Sequence, residues 1–339
     1  MNLLTLSDLD AGPGRALLDA TVAMGFSYPV ARAGLDAELQ AWTEAGALDS
    51  VLAELPGDLE PSRRPASVLI IGARTLPASM MRATLMARLL GARVHIKPAS
   101  GQADLGRALA LADPEVRLED FSSGDEEALQ AAIAKADAVV VLGSDETVRA
   151  VRGHMPDTKP FVGYGHKLSV AWLDRVDQHA LWGLAHDLCA WDQAGCLSPQ
   201  VVWTSGEPEA VALDLADAVR SIEAALPMVL PDAAVASRRT ARTYAEMVGA
   251  VVETDTALIC ALPTATFRPS PGHRVLWVCP AAPDVLNTLG QHISTIGISG
   301  ALGVPLPEGV RRCALGQMQR PPLTWMHDGQ PNLLPMLRE

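Results

Sequence analysis

Cys196 lies in the segment WDQAGCLSPQ (residues 191–200), where a glycine precedes it and a Leu-Ser-Pro turn follows it. A cysteine acts as a nucleophile when its thiolate is stabilised and a substrate can reach it, whereas most free cysteines are buried and inert. Apolar neighbours predict inert thiols at Cys189, Cys260 and Cys279. A helix is predicted over ALWGLAHDLCAWDQ (residues 180–193). Cys189 stands seven residues before Cys196, so at helical spacing the two could share a face. The polar neighbours of Cys196 leave both interpretations of this residue open.

Two other segments contain residue types that suit a phosphate or a ribose. Lys97 directly follows an apolar segment of strand length, and its ammonium could bind either group, although a lysine in such a place is more often solvated. Gly143 and Ser144 stand between a predicted strand and a predicted helix, where free backbone N–H groups can bind a phosphate. Ser144 is equally an ordinary helix N-cap. Neither a GxGxxG fingerprint nor a Walker loop is present.

The elements that must position these residues alternate between strand and helix. Helical spacing of apolar residues predicts helices in the first sixty residues, and the segment PGDLEPSRRPAS (residues 56–67) predicts a boundary loop. From SVLIIGA to KPFVGYG, apolar segments of strand length alternate with helical patterns. Such alternation predicts right-handed βαβ units around a parallel sheet buried on both faces. The chain after about residue 166 has a more mixed pattern, with strands predicted at VVWTSG, ALICALP and HRVLWVC.

Composition excludes several classes of protein. The chain has 339 residues and a net charge of −12, which argues against a general nucleic-acid-binding protein. Its five cysteines are scattered and form no CxxC, so they predict neither a disulfide framework nor a zinc site, and they suit a reducing cytoplasm. The pattern also shows no membrane span and no signal peptide. We therefore expect an acidic cytoplasmic protein without a metal site.

Four segments, taken in order, resemble the aldehyde dehydrogenase superfamily. They are VLIIGARTLPASMMRATLMARLLGARVHIKPAS, ADAVVVLGSDETVRAVR, PFVGYGHKLSVAWL and DLCAWDQAGCLSPQVVWTSG. The block DQxxCLSPQ and the later PPLTWMHDG (residues 321–329) resemble its acyl-CoA reductase branch, the LuxC-type fatty acyl reductases. The resemblance implies an aldehyde dehydrogenase-like α/β fold, with a Rossmann-type doubly wound cofactor domain and a second α/β catalytic domain. The expected parts are an N-terminal helical region (1–65), the cofactor-binding domain (66–165), the catalytic domain (166–295) and a C-terminal segment (296–339).

The resemblance also implies roles for individual residues. Cys196 takes the place of the catalytic cysteine, and Lys97 takes that of the lysine that contacts the adenosine ribose. Gly143 and Ser144 match the Gly-Ser that opens the helix beneath the cofactor pyrophosphate. Ser100 stands where NAD-specific relatives place a glutamate, so it predicts a preference for NADPH. Ser100 could equally cap the helix that begins near residue 102.

The sequence departs from the family at two positions. Gly163 stands where aldehyde-oxidising relatives carry the glutamate that activates the hydrolytic water, and this loss fits a reductase better than an oxidising enzyme. Thr75 stands where relatives carry the asparagine that stabilises the oxyanion. A threonine hydroxyl or backbone N–H groups can replace that donor, whose loss typically costs about 10²–10³ in rate.

Together these features predict NADPH-dependent reduction of a fatty acyl thioester to the aldehyde through an acyl-enzyme on Cys196. The alternatives are a small-aldehyde or semialdehyde dehydrogenase of the same fold and a catalytically degenerate scaffold. Expected partners are an acyl-CoA or acyl-carrier substrate and an acyl-protein synthetase or transferase. A homo-oligomer is compatible with the sequence, and no nucleic-acid partner is expected.

Overall fold

The structure, a computed structural model, describes residues 3–338. The chain forms two compact units. Unit 1 consists of residues 3–24, 35–166 and 322–338, and unit 2 consists of residues 25–34 and 167–321. The sequence analysis separated an N-terminal helical region (1–65) and a C-terminal segment (296–339) as parts of their own. The structure includes most of the first in unit 1, and it divides the second between unit 2 (up to residue 321) and unit 1 (from residue 322).

Helices and strands alternate through most of the chain. The helices are α1 (Leu3–Ser7), α2 (Gly12–Ala23), α3 (Tyr28–Thr43), α4 (Ala47–Leu52), α5 (Pro77–Leu89), α6 (Ala103–Ala112), α7 (Glu126–Lys135), α8 (Asp145–Gly153), α9 (Gln178–Cys189), α10 (Pro208–Glu223), α11 (Asp232–Val248) and α12 (Pro283–Leu289). The strands are β1 (Ser67–Ile71), β2 (Arg93–Lys97), β3 (Val116–Leu118), β4 (Ala138–Leu142), β5 (Phe161–Tyr164), β6 (Leu168–Leu173), β7 (Pro199–Thr204), β8 (Ala250–Glu253), β9 (Leu258–Ala261), β10 (Val275–Pro280), β11 (Ile293–Ser299) and β12 (Arg311–Ala314). Short 3-10 helices lie at Pro61–Arg63, Ala190–Gln193, Gly290–His292, His327–Gly329 and Leu334–Met336.

Unit 1 contains a parallel sheet with the strand order β3-β2-β1-β4-β5. The central strands β1 and β4 are buried along their whole length, as their continuous apolar sequences predict for a sheet covered on both faces. Strand order reverses between β1 and β4, and ligands of such sheets bind outside the carboxyl ends of the strands at this point. Ile71 is in register with both Lys97 and Val141, so the ends of β1, β2 and β4 lie at one edge. The predicted doubly wound sheet is confirmed.

Unit 2 contains a seven-stranded sheet with the order β12-β11-β6-β7-β10-β9-β8. All neighbouring strands are parallel except β8, which pairs antiparallel with β9. Apolar side chains of α9 and α10 cover one face of the sheet, and those of α11 and α12 cover the other. The sequence pattern marked β7, β9 and β10, and the sheet adds β6, β8, β11 and β12. The second α/β part of the predicted fold is thereby confirmed.

The C-terminal residues 322–338 are tied to the rest of unit 1 by a buried arginine. The side chain of Arg82 on α5 is 6% exposed, and its Nη2 donates to the carbonyl oxygens of Leu323 (2.6 Å) and Trp325 (2.5 Å). The same nitrogen donates to Oδ1 of Asn332 at 3.1 Å, and the guanidinium also lies over the Trp325 ring. Glu54 on the other side accepts from the backbone N–H of Asn332 at 2.8 Å. Because a guanidinium has five N–H donors, one buried side chain can satisfy several carbonyl groups of an irregular segment.

No helix within residues 3–338 has the length and apolar character needed to cross a lipid bilayer.

Candidate active site

The helix that leads to the candidate nucleophile stops early. Helix α9 ends at Cys189. After Ala190, three consecutive residues have left-handed backbones: φ is 53° at Trp191, 50° at Asp192 and 61° at Gln193. The helix predicted to run to Gln193 therefore ends four residues earlier, and Cys189 and Cys196 do not share a helix face. A non-glycine residue in this conformation costs roughly 1–3 kcal/mol and persists only where its surroundings enforce it. Such backbones cluster at functional sites.

Buried contacts of unit 2 enforce this left-handed segment. The Trp191 side chain is 1% exposed and meets the Phe26 ring edge to face, with 5.4 Å between ring centroids. The carboxylate of Asp192 lies 2.6 Å from a guanidinium nitrogen of Arg274, which is fully buried. Arg274 also donates to the carbonyl oxygen of Cys189 at 3.2 Å, so one cation ties the helix end to the turn. A single buried charge would be costly, and this pairing offsets that cost.

Cys196 itself lies at the surface of a turn whose backbone is held from below. The hydroxyl of Ser169 on β6 donates to the Cys196 carbonyl oxygen at 2.6 Å. The backbone N–H of Ser198 donates to the carbonyl of Gly195 at 3.1 Å. The Ser198 hydroxyl accepts from Nε2 of Gln319 at 2.9 Å, and both side chains are buried. The turn is therefore fixed on two sides while the residue at its surface stays exposed.

The other cysteines lack this exposure. Among the five cysteines only Cys196 is exposed, while Cys313 is half-buried and the remaining three are buried. Burial raises the pKa of Cys189 to about 11 and the pKa values of Cys260 and Cys279 to about 12. It also raises the pKa of Cys313 to about 11. Since the thiolate is the nucleophile, these four thiols are inert near neutral pH, as predicted for the first three.

A buried carboxyl group, Asp187, supports the segment that holds Ser198. Asp187 on α9 is 1% exposed and accepts from the backbone N–H groups of Gly316 (2.6 Å) and Met318 (3.0 Å). Burial raises the pKa of this carboxyl to about 7 against the effect of those hydrogen bonds. Gly183, one turn earlier, allows the close approach, because a Cβ there would lie 2.7 Å from the carbonyl oxygen of Leu315. In the sequence the only signal for Asp187 is an acid inside an otherwise apolar helix.

In unit 1 the structure brings Lys97 and Ser100 together. Nζ of Lys97 donates to the hydroxyl of Ser123 at 2.8 Å, and the Ser100 hydroxyl lies 3.5 Å from that of Ser123. Lys97 is 7% exposed, and burial lowers its pKa. The alternative that Ser100 caps α6 is wrong, since Gln102 is the N-cap residue. Sequence reasoning missed Ser123, although its place in the loop after β3 could have indicated it.

Gly143 and Ser144 lie at the end of β4, at the same edge of the sheet. The Ser144 side chain accepts from the backbone N–H of Thr147 at 3.2 Å, so the N-cap role is confirmed. Free N–H groups remain in the first turn of α8 by the geometry of any helix start, which leaves the phosphate role compatible with the cap. The carboxylate of Asp145 accepts from the backbone N–H of His166 at 2.8 Å. That acid is therefore engaged with the chain that leaves β5.

The two departures from the family pattern have different surroundings. Gly163 lies in β5, and a Cβ there would lie 2.5 Å from Cγ1 of Val148 and 3.0 Å from the Phe161 ring. A glutamate at this position would therefore require the Val148 and Phe161 side chains to move. Thr75 is exposed in the loop after β1, which Gln102 holds by donating to the Arg74 carbonyl oxygen at 2.7 Å. The oxyanion role of Thr75 stays a prediction, as do the cofactor contacts of the other unit 1 residues.

Comparison with known proteins adds a family and a fold. The family model of acyl-CoA reductase (LuxC) matches residues 109–339, more than half of the chain. A long-chain acyl-protein thioester reductase 2 of Photobacterium leiognathi is 31% identical over 74 residues. This alignment covers 21% of the chain and only 16% of that relative's length.

Solved structures of aldehyde dehydrogenases have a similar fold. An NADP-dependent glyceraldehyde-3-phosphate dehydrogenase from Bacillus halodurans C-125, complexed with NADP, has a TM-score of 0.71 at 15% identity and covers 99% of this chain and 84% of its own. A succinic semialdehyde dehydrogenase from Streptococcus pyogenes, in complex with NADP+, has a TM-score of 0.67 at 13% identity. Its alignment covers 88% of this chain and 76% of the dehydrogenase chain. These identities establish the fold alone. Because the LuxC family model matches more than half of the chain, the chain belongs to the LuxC family of acyl-CoA reductases, and it has an aldehyde dehydrogenase fold.

Proposed function

We propose that this protein reduces a fatty acyl thioester to the aldehyde with NADPH, using Cys196 as the nucleophile. The observation that supports this most directly is the Cys196 turn. It presents the one exposed thiol of the chain on a backbone fixed by Ser169 and by Ser198. A surface cysteine without a function does not require three left-handed residues and a buried ion pair beside it.

The chemistry on the protein side is an acyl transfer followed by release. The Cys196 thiolate attacks the thioester carbonyl carbon, a new carbon–sulfur bond forms, and the bond to CoA or a carrier thiol breaks. The departing thiolate takes up a proton from water. When the acyl carbon has received a hydride, the bond to Cys196 breaks and the sulfur leaves as a thiolate, ready for another turnover. The aldehyde is released with the oxidation level lowered by two electrons.

The residues of unit 1 fit a dinucleotide with a 2′-phosphate. The buried ammonium of Lys97 and the hydroxyls of Ser100 and Ser123 form a donor set that suits a phosphate on a ribose. The start of α8 after Gly143 and Ser144 suits a pyrophosphate. When bound, NADPH supplies the hydride for the reduction. Lys97, Ser100 and Ser123 are the residues that would distinguish it from NADH.

Packing at Gly163 argues for reduction over aldehyde oxidation. An oxidising enzyme needs a base that activates water to hydrolyse the acyl-enzyme. A Cβ at Gly163 would lie 2.5 Å from Cγ1 of Val148, so a glutamate at that position would require the Val148 side chain to move.

Family membership supports an acyl-CoA or a protein-bound acyl thioester as the substrate. The curated relative is named an acyl-protein thioester reductase, which favours a long acyl chain and a protein donor for this chain as well. An acyl-protein synthetase or transferase that hands over the acyl group, a cytoplasmic location and a homo-oligomer complete the proposal.

The test is intact-mass measurement of the protein after incubation with tetradecanoyl-CoA without cofactor. We expect one acyl adduct on the native protein, none on Cys196→Ala, and an unchanged adduct on Cys189→Ala, whose thiol is buried. Addition of NADPH should then remove the adduct and produce tetradecanal. Acylation of Cys196→Ala would refute the assignment of the nucleophile, and a native protein that takes up no acyl group would indicate a scaffold.

A further inference from the structure

A second left-handed segment lies beside the first. Residues 272–274 follow one another with φ of 78°, 53° and 59°. A Cβ on Gly272 would lie 3.8 Å from the carbonyl oxygen of Gln193, so the two left-handed segments are in contact. The ion pair between Asp192 and Arg274 joins them on one side. The Gln193 side chain joins them on the other.

The amide of Gln193 spans the base of the Cys196 loop. Its Nε2 donates to the carbonyl oxygen of Pro199 at 2.7 Å and to that of Val275 at 2.8 Å. Both partners accept only, so the orientation of the amide is settled by its contacts. The Cys196 loop comprises residues 194–198. The bond from Gln193 to Pro199 therefore joins the residue before the loop to the first residue after it. The bond to Val275 fastens that connection to β10, in the middle of the sheet.

Gln193 is well suited to hold the loop because its own position is fixed. Its side chain is 5% exposed, and the left-handed backbone directs it under the loop instead of along a helix. Pro199 has no N–H and cannot donate to a neighbouring strand, so a side chain that binds its carbonyl secures the first residue of β7. Without Gln193, the loop would keep its contacts to Ser169 and Gln319 but would lose its closed base.

We infer that Gln193 is a positioning residue for the nucleophile: by closing the base of the loop, it holds the Cys196 thiol in the orientation that attack on the acyl carbonyl requires. This inference rests on the proposed function of Cys196. A displacement of about 1 Å at a reacting atom can lower a rate about 10²-fold, while a small thiol reagent that approaches from any direction is much less sensitive. Gln193 should therefore affect acyl transfer far more than thiol accessibility.

The experiment compares three variants in the full chain. Gln193→Met keeps the shape of the side chain without its hydrogen bonds, and Gln193→Asn keeps the amide but shortens its reach. Thr204→Val is the matched control, because it removes two hydrogen bonds of a buried side chain at the opposite end of β7. The Thr204 hydroxyl donates to the carbonyl oxygen of Leu173 at 3.0 Å and accepts from the backbone N–H of Gly206 at 3.0 Å. Single-turnover acylation by tetradecanoyl-CoA is measured by intact mass over a concentration series. Each rate is divided by the fraction of molecules that iodoacetamide alkylates at a single thiol, because unfolded chains expose the buried cysteines as well and gain more than one adduct.

We expect the maximal acylation rate per alkylated thiol to fall about 10²-fold in Gln193→Met, with a smaller fall in Gln193→Asn. The half-saturating acyl-CoA concentration and the alkylation rate should stay within twofold of native, and Thr204→Val should match the native protein throughout. A native acylation rate in Gln193→Met would overturn the inference, as would an equal loss in Thr204→Val. Absence of acylation in the native protein would instead refute the proposed function.

Discussion

Asp187 should make the stability of unit 2 depend on pH in the direction opposite to most carboxylates. The perturbation is Asp187→Asn, which removes the titration but keeps the size of the side chain. Burial raises the pKa of Asp187 from 3.8 to about 7 in the folded protein. Between these values the folded state binds a proton that the unfolded state does not. The free energy of unfolding therefore falls as pH rises, and the contribution is lost once pH exceeds about 7.

The magnitude follows from the size of that shift. Each pKa unit corresponds to about 1.4 kcal/mol, so a carboxyl shifted over this range contributes about 4 kcal/mol when fully protonated. Between pH 5 and pH 8 the change amounts to about 3 kcal/mol. Asp187 is 1% exposed, and solvent does not screen this effect. The asparagine can accept only one of the two N–H bonds from Gly316 and Met318, which lowers its stability by an amount that does not vary with pH.

The assay is urea unfolding followed by tryptophan fluorescence at pH 5 and pH 8. Five of the seven tryptophans belong to unit 2, so the signal reports mainly on that unit. All other titrating groups are common to both proteins and cancel in the difference between native protein and Asp187→Asn. We expect the free energy of unfolding of the native protein, relative to that of Asp187→Asn, to fall by about 3 kcal/mol from pH 5 to pH 8. An equal difference at both pH values would refute the reasoning.

Two further perturbations test unit 1. Ser100→Glu places a carboxylate beside the Lys97 and Ser123 donors, where repulsion of a 2′-phosphate costs roughly 1–4 kcal/mol. We expect the native protein to favour NADPH over NADH in kcat/KM by about tenfold, or ~1.4 kcal/mol, and Ser100→Glu to lose or reverse that preference. The same ratio of kcat/KM values for NADPH and NADH in both proteins would contradict the cofactor proposal. Arg82→Met leaves buried carbonyl groups of residues 322–338 without a donor and should lower the stability of unit 1 by about 3 kcal/mol. We expect faster proteolysis within residues 322–338 of Arg82→Met than of the native protein. The control is Arg107→Met, at an exposed arginine, and native resistance of Arg82→Met to proteolysis would contradict the prediction.

Much of the fold follows from local pattern. Continuous apolar strands such as β1 and β4, separated by helices, are typical of a parallel sheet buried on both faces, and chirality then limits the crossovers to one hand. The edge at which Lys97 and Gly143 lie follows from the same topology, since carboxyl ends of parallel strands share an edge. In unit 2 the pattern was weaker. Strands β6 and β11 pair with each other across more than a hundred residues, and no local signal expresses that pairing.

The site could be located from sequence only in part. The polar turn around Cys196 was visible as residue types, which left its exposure open, and the structure shows that the residue is exposed. The left-handed backbone of Trp191, Asp192 and Gln193 was not predictable, because helical propensity favours continuing α9 through these residues. Arg274, which stabilises that backbone through Asp192, is distant in sequence and adjacent only in the folded chain.

The sequence by itself therefore determined the parallel sheet of unit 1 and the edge at which the carboxyl ends of its strands meet, and it marked Cys196 as a candidate nucleophile. Only the tertiary structure decided how that cysteine is held. Ser123 joins Lys97, Gln319 joins Ser198, and Gln193 reaches Val275 across distances in sequence that no periodicity records. Local patterns report backbone preference and burial, which act over a few residues. The hydrogen bonds that position a reacting atom depend on which strands become neighbours, and that is set by the packing of the whole unit.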